Sequence, residues 1–189
     1  MKRTAIAAVV LAVGLSAGAA ETTYKVDPVH SSVNFRVKHM GTSYAHGRFN
    51  AVEGKFALDD ADPSKSSFEV KIKAASVDTN HKVRDGHLTG PDLFNAKQYP
   101  TISFKSTKVS PGTDGTSMSV TGDLTFHGVT KPIIVKMEKV GTGKGMKGEA
   151  LAGVESEFVI KRSDFGVKAM TGMLGEDVRV TVSLEGVKS

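Results

Sequence analysis

Among the side chains able to do acid–base or metal chemistry, the six histidines are the first to weigh. His81, Asp85 and His87 fall within one short stretch, and His39 and His46 flank a Gly-Thr-Ser-Tyr turn. A metal centre needs three or four converging ligands, held in place by further hydrogen bonds. His81 and His87 are spaced neither i,i+3 nor i,i+4, so a single helix face would not present both. Capping and loop hydrogen bonds are the plainer roles for these rings. There is no Gly-x-Ser-x-Gly elbow for a nucleophilic serine. There is also no cysteine, which removes thiol nucleophiles, thiolate metal sites and disulfides. No cofactor is called for. A small enzyme with a site near His81, Asp85 and His87 stands as the second reading. Arg84-Asp85 and Arg162-Ser163-Asp164 are either ion-pair clamps at the ends of a fold or anion-binding groups at a cavity mouth.

The elements that must position these groups begin after residue 20. Lys2 and Arg3, the apolar run Ala5 to Leu15 and the small residues Ser16 to Ala20 have the layout of a secretory signal, with cleavage expected after about Ala20. Its apolar run is short for a bilayer span, and nothing later approaches one. Residues 21–189 then form one domain, long enough for a sizeable core without disulfides. Losing Lys2 and Arg3 lowers the formal net charge from +5 to +3. The lysines are scattered rather than gathered in a stripe, which argues against nucleic acid as a partner.

Period-two alternation recurs along the chain and predicts about eight strands, each with one buried and one wet face. Phe35 and Val37 alternate with Arg36 and Lys38; Phe68, Val70 and Ile72 with Glu69, Lys71 and Lys73; Ile102 and Phe104 with Ser103 and Lys105. Leu124 and Phe126 follow Met118, Val120 and Gly122 in the same phase, and Phe158 and Val180 mark two strands near the C-terminus. In 46–58 the apolar phase runs Phe49, Ala51, then Val52, Phe56, Leu58, which predicts a bulge near Ala51–Val52. Residues 79–98 lack alternation. They read as two short helical pieces broken at Gly90-Pro91, with Val83, Leu88 and Phe94 on one face. Gly128 to Pro132 reads as a turn, and Met170 to Leu174 as an apolar loop, either a lid, a dimer contact or plain packing.

Short turns imply antiparallel neighbours, closed into a barrel or split into a sandwich. An outer-membrane barrel is excluded, because each polar face carries Lys, Arg or Glu. A Lys or Arg at the midplane costs roughly 2–4 kcal/mol, and aromatic girdles are missing. The apolar face is therefore the inside. The expected interior is formed by Phe35, Val37, Phe49, Phe68, Val70, Ile72, Phe94, Ile102, Phe104, Leu124, Phe126, Phe158 and Val180. Alternation alone leaves a filled core and a ligand cavity equally open.

Several segments carry a family resemblance in their order and spacing. They are Val26-Asp27-Pro28-Val29-His30-Ser31-Ser32, Gly47-Arg48-Phe49, Arg84-Asp85-Gly86-His87-Leu88, Asp92-Leu93-Phe94-Asn95, Gly122 to Thr130 and Arg162-Ser163-Asp164-Phe165-Gly166. The chain resembles the YceI-like family of periplasmic polyisoprenoid-binding proteins over nearly all of residues 21–189. The resemblance implies an all-β, eight-stranded, lipocalin-like antiparallel barrel with a helical segment near 80–97, often paired as a homodimer. It implies a periplasmic carrier without catalysis, holding a long-chain isoprenoid lipid, such as a prenyl quinone or prenyl pyrophosphate, in its channel. A pyrophosphate head would favour basic residues at the mouth, such as Lys82, Arg84 or Lys131; a quinone would not.

Overall fold

A computed structural model describes residues 21–189; the expected signal segment and its cleavage point lie outside the described residues. In chain order the strands are β1 (Thr22–Val26), β2 (Ser32–His39), β3 (Ser43–Phe49), β4 (Val52–Leu58), β5 (Ser67–Lys73) and β6 (Val77–Asp78). Helix α1 (Lys82–Thr89) follows, then β7 (Thr101–Pro111), β8 (Ser117–Phe126), β9 (Val129–Lys144), β10 (Ala150–Lys161) and β11 (Leu174–Lys188).

The strands close a ring in the order β1-β4-β5-β7-β8-β9-β10-β11 and back to β1, with every pairing antiparallel. β2, β3 and β6 continue β1, β4 and β5 beyond short breaks, so the barrel has eight staves. Its seam is held by β11, which pairs with β1 at Lys25–Val187 and with β2 at Val33–Val182. The slip predicted near residue 51 is the break between β3 and β4. There the Asn50 N–H donates to the Ser76 carbonyl at 3.0 Å and the Ala51 N–H to Ser76 Oγ at 3.0 Å. Closure protects the strand edges except where β9 and β10 part: their ladder ends at Glu138–Glu155, leaving 129–137 and 156–161 unpaired with each other.

Along β8, Met118, Val120, Leu124 and Phe126 are buried while Ser119 and Asp123 face water, as their alternation predicts. One end of the barrel is filled: Phe56, Phe68, Val120 and Leu184 are fully buried, and Tyr24 stacks on Phe56 at 5.3 Å. Each such side chain contributes about 1.5–3 kcal/mol of burial.

The other end is built differently. β6 has no strand on its far side, and α1 with residues 90–98 occupies the space toward β7. The expected second helical piece is instead a series of turns, in which the Phe94 N–H donates to the Leu88 carbonyl at 2.9 Å and the Asn95 N–H to the Gly90 carbonyl at 2.8 Å. Pro91 cannot extend α1, and Asn95 takes a left-handed φ of 44° that ends any helical path. Val83 is 62% exposed rather than packed, so Leu88, Leu93 and Phe94 supply the apolar cover.

The expected turn at Gly128–Pro132 is also shorter. His127 and Gly128 alone make it, with φ values of 51° and 75°, the mirror-image two-residue turn that suits twisted hairpins. Pro132 then lies within β9, where β10 does not pair, so its missing N–H breaks no ladder there.

Candidate ligand-binding cavity

The three residues of the enzyme reading do not converge on a common point. The His81 ring caps α1, its Nδ1 accepting the Arg84 N–H at 3.3 Å. Asp85 accepts from the Thr79 N–H at 2.8 Å and from its hydroxyl at 2.5 Å. Arg84 donates to Thr79 Oγ1 at 2.7 Å and to the Thr79 carbonyl at 2.6 Å. Arg84 and Asp85 thus clamp α1 to the end of β6. His87 is exposed in the last turn of α1.

Among the described residues, the group that does bring an imidazole and two carboxylates together is Asp27, His30 and Glu185, at the barrel seam. His30 Nδ1 lies 2.7 Å from Asp27 Oδ2 and 3.6 Å from Glu185 Oε1. The hydrogen bond to Asp27 raises the His30 pKa above its ordinary value, and the same bond holds Asp27 low. It is an ion-pair staple across the β1–β2 break.

The barrel interior holds a cavity of about 160 Å³, lined by apolar side chains apart from Ser103, Ser156 and Arg162. Every interior residue expected from the sequence borders it. Val178 and Val182, in phase with Val180 along β11, belong to the wall as well. Leu93 and Val167 belong to it too, from segments with no period to reveal them.

Burial along the strands shows where the cavity lies. On β2, Val33 is buried, whereas Phe35 and Val37 are half-buried. On β10, Val154 and Ser156 are buried, then Phe158 and Ile160 are half-buried. On β11, Leu184 is buried, then Val182, Val180 and Val178 are half-buried. Packing therefore loosens from the filled end toward the β2–β3 hairpin and the β10–β11 connection. Aromatic rings form one side: Phe35 meets Phe49 at 5.6 Å, Phe49 meets Phe94 at 5.9 Å, and Phe94 meets Phe126 at 5.5 Å.

Arg162 is the charged group on this wall, 3% exposed, and its guanidinium is fully engaged. Nε donates to the Gly175 carbonyl at 3.0 Å; Nη1 donates to Val167 and Ala169 at 3.0 and 2.6 Å. Nη2 donates to the Leu174 carbonyl and Glu176 Oε1, each at 3.3 Å. A guanidinium has five N–H donors, and all five are occupied. Arg162 is thus a clamp that folds the β10–β11 connection over the barrel. Lys131 lies 3.6 Å from Asp164 Oδ1 and braces the same connection from β9. His127 anchors it as well, its Nδ1 within 3.2 Å of the Phe165 carbonyl.

A closed antiparallel barrel of eight strands around an apolar cavity defines the class: a small lipocalin-like barrel. The YceI-like domain model matches residues 24–186, and the chain belongs to that family. It is 38% identical to Protein YceI of Escherichia coli over 191 residues, covering 100% of this chain and 99% of that one. The solved YceI protein of Campylobacter jejuni superposes with a TM-score of 0.72 at 33% identity, covering 88% of this chain and 98% of that one. A polyisoprenoid binding domain from Saccharophagus degradans shares the fold, with a TM-score of 0.67 at 19% identity, covering 89% and 99%. No helix among the described residues is long and apolar enough to cross a membrane.

Proposed function

We propose that this protein is a periplasmic carrier that holds an isoprenoid lipid by its hydrocarbon tail in the barrel cavity, without catalysis. The observation that carries the reading is the chemistry of the wall: apolar apart from Ser103 and Ser156, with Ser156 bonded to the Lys136 carbonyl and its one guanidinium already saturated by carbonyls and Glu176. Such a wall offers a ligand dispersion and desolvation but no catalytic group. Each buried isoprene unit contributes about 4 kcal/mol at roughly 0.8 kcal/mol per carbon. A few units offset the entropy lost on association.

The size of the cavity suits a chain that enters by one end. An engineered apolar cavity of roughly 150 Å³ takes one benzene, so 160 Å³ accepts a group about the size of a single isoprene unit. The rest of a long chain would run along the half-buried wall of Phe35, Val37, Val178 and Val180. The polyisoprenoid binding domain of Saccharophagus degradans, built on the same fold, supports this choice of ligand. The N-terminal segment supports export, and the family resemblance supports the periplasm.

Of the three basic residues first considered, Arg84 is bonded to Thr79 and Lys131 is paired with Asp164, while exposed Lys82 has no ion pair among the described residues. Mass spectrometry of organic extracts from protein purified from its native host tests the proposal. A stoichiometric prenyl lipid supports it, and protein that is consistently free of lipid contradicts it.

A further inference from the structure

We infer that the lip formed by the β2–β3 turn and the loop before β11 is a docking surface for an anionic lipid bilayer. The inference rests on the lipid reading of the cavity. The two segments are joined, since the Met40 N–H donates to the Met173 carbonyl at 2.7 Å. Met40, Tyr44, Met170 and Met173 are 53%, 52%, 42% and 44% exposed there. The other strongly exposed apolar side chains, Val29, Val83, Ile134, Val140, Met146 and Val159, come from other segments of the chain. Scattered exposure needs no explanation, whereas a joined apolar patch marks a site of interaction.

The patch continues into the cavity. Leu174, next to exposed Met173, lines the cavity wall, and Val37 does so from β2. A tail moving between bilayer and barrel along this path would stay against apolar side chains. The backbone adds an independent argument. Met40 and Met170 take left-handed φ values of 49° and 59°, a region that glycine or asparagine occupies at lower cost. The turn geometry alone gives no reason for methionine at either position. An apolar, flexible side chain displayed at the tip of each loop gives one.

Charge selects the kind of bilayer. Lys38 and Lys168 are exposed on the lip, and neither is ion-paired among the described residues. Of the nearby acids, Asp164 and Glu176 are matched by Lys131 and Arg162, and exposed Asp177 stands opposite Lys161 in the β10–β11 ladder. The lip therefore presents uncommitted positive charge beside apolar tips, the pairing that anionic lipid surfaces attract.

Vesicle flotation of the purified full-length mature protein tests this, using phosphatidylcholine vesicles with and without phosphatidylglycerol. Wild type should float with the phosphatidylglycerol vesicles and be released by high salt. Met40→Ser combined with Met173→Ser should weaken binding by about tenfold or more. Lys38→Gln and Lys168→Gln should each weaken it about fivefold. All of these variants should retain the extractable prenyl lipid of the wild type. Val180→Phe, which blocks the cavity, should lose lipid yet still float, so a failed cavity reading is distinguishable from a failed docking reading. Wild type that ignores phosphatidylglycerol, or lip variants that bind as wild type, would overturn the inference. So would a wild-type dimer, seen by ultracentrifugation, that the methionine substitutions dissociate, because a second copy would then cover the lip.

Discussion

Replacing Arg162 by lysine keeps the charge and removes the fork. Lysine offers three donors from a single point, where the guanidinium reaches four carbonyls and a carboxylate from three nitrogens. At least two acceptors lose their partner. Hydrogen bonds to a charged group contribute about 1.5–3 kcal/mol each, so the gross loss is about 3–6 kcal/mol. Glu176 is 46% exposed, and water replaces its share. The net cost falls to about 2–4 kcal/mol once such surface acceptors are rehydrated. For a domain of this size that is a fall in Tm of about 4–16 °C. Urea unfolding followed by far-ultraviolet circular dichroism measures it, and thermal melts give the second figure. Glu176→Gln should cost less than about 1 kcal/mol. Inorganic pyrophosphate should not raise the Tm of the wild type, because the guanidinium has no donor left to offer. Arg162→Lys within about 0.5 kcal/mol of wild type would refute the clamp, as that is the range of an ordinary surface substitution.

Three further outcomes follow from the same geometry. Val180→Phe should fill part of the cavity, leaving stability within about 1.5 kcal/mol of wild type while abolishing lipid retention, read by urea melt and organic extraction. Gly54→Ala should destabilise by about 1–3 kcal/mol in the same melt. A Cβ there would sit 2.2 Å from the Glu69 carbonyl oxygen across the β4–β5 ladder, where only backbone movement can relieve it. The His30 resonances should titrate above 6.5 in an NMR pH series and return toward 6.5 in Asp27→Asn. A folded-state pKa raised in this way gives stability that is complete below 6.5 and lost as pH rises through the folded value. The Asp27 contribution, from a pKa held below 3.8, is present above 3.8 and lost as pH falls through its own lowered value.

Much of the barrel was legible because alternation is a property of single strands. The β8 run Met118, Val120, Leu124, Phe126 named its own inner face, and the slip near Ala51–Val52, expected as a bulge, falls where β3 ends and β4 begins. The cavity was not legible, since packing density depends on how eight inner faces meet. Half-buried Val180 and fully buried Val120 look alike in sequence. Leu93 and Val167 reach the wall from irregular segments whose direction is set by hydrogen bonds such as those of Arg162, so no period could announce them. Residues 90–98 read as a helical piece yet form turns, because Pro91 cannot continue α1 and Asn95 takes a left-handed φ that local pattern does not reveal. The motif around Arg162 left two roles open, and only the positions of its five acceptors decide between them.

A prenyl tail held as proposed would lie between the half-buried walls of β2, β10 and β11. Methyl NMR of delipidated protein, titrated with a short prenyl alcohol, tests that placement directly. Saturable shifts should appear at Val37, Leu174, Val178, Val180 and Val182, with Val26, Val109 and Val120 at the filled end little changed. Shifts confined to surface methyls such as Val29 and Val140, or none at all, would contradict it.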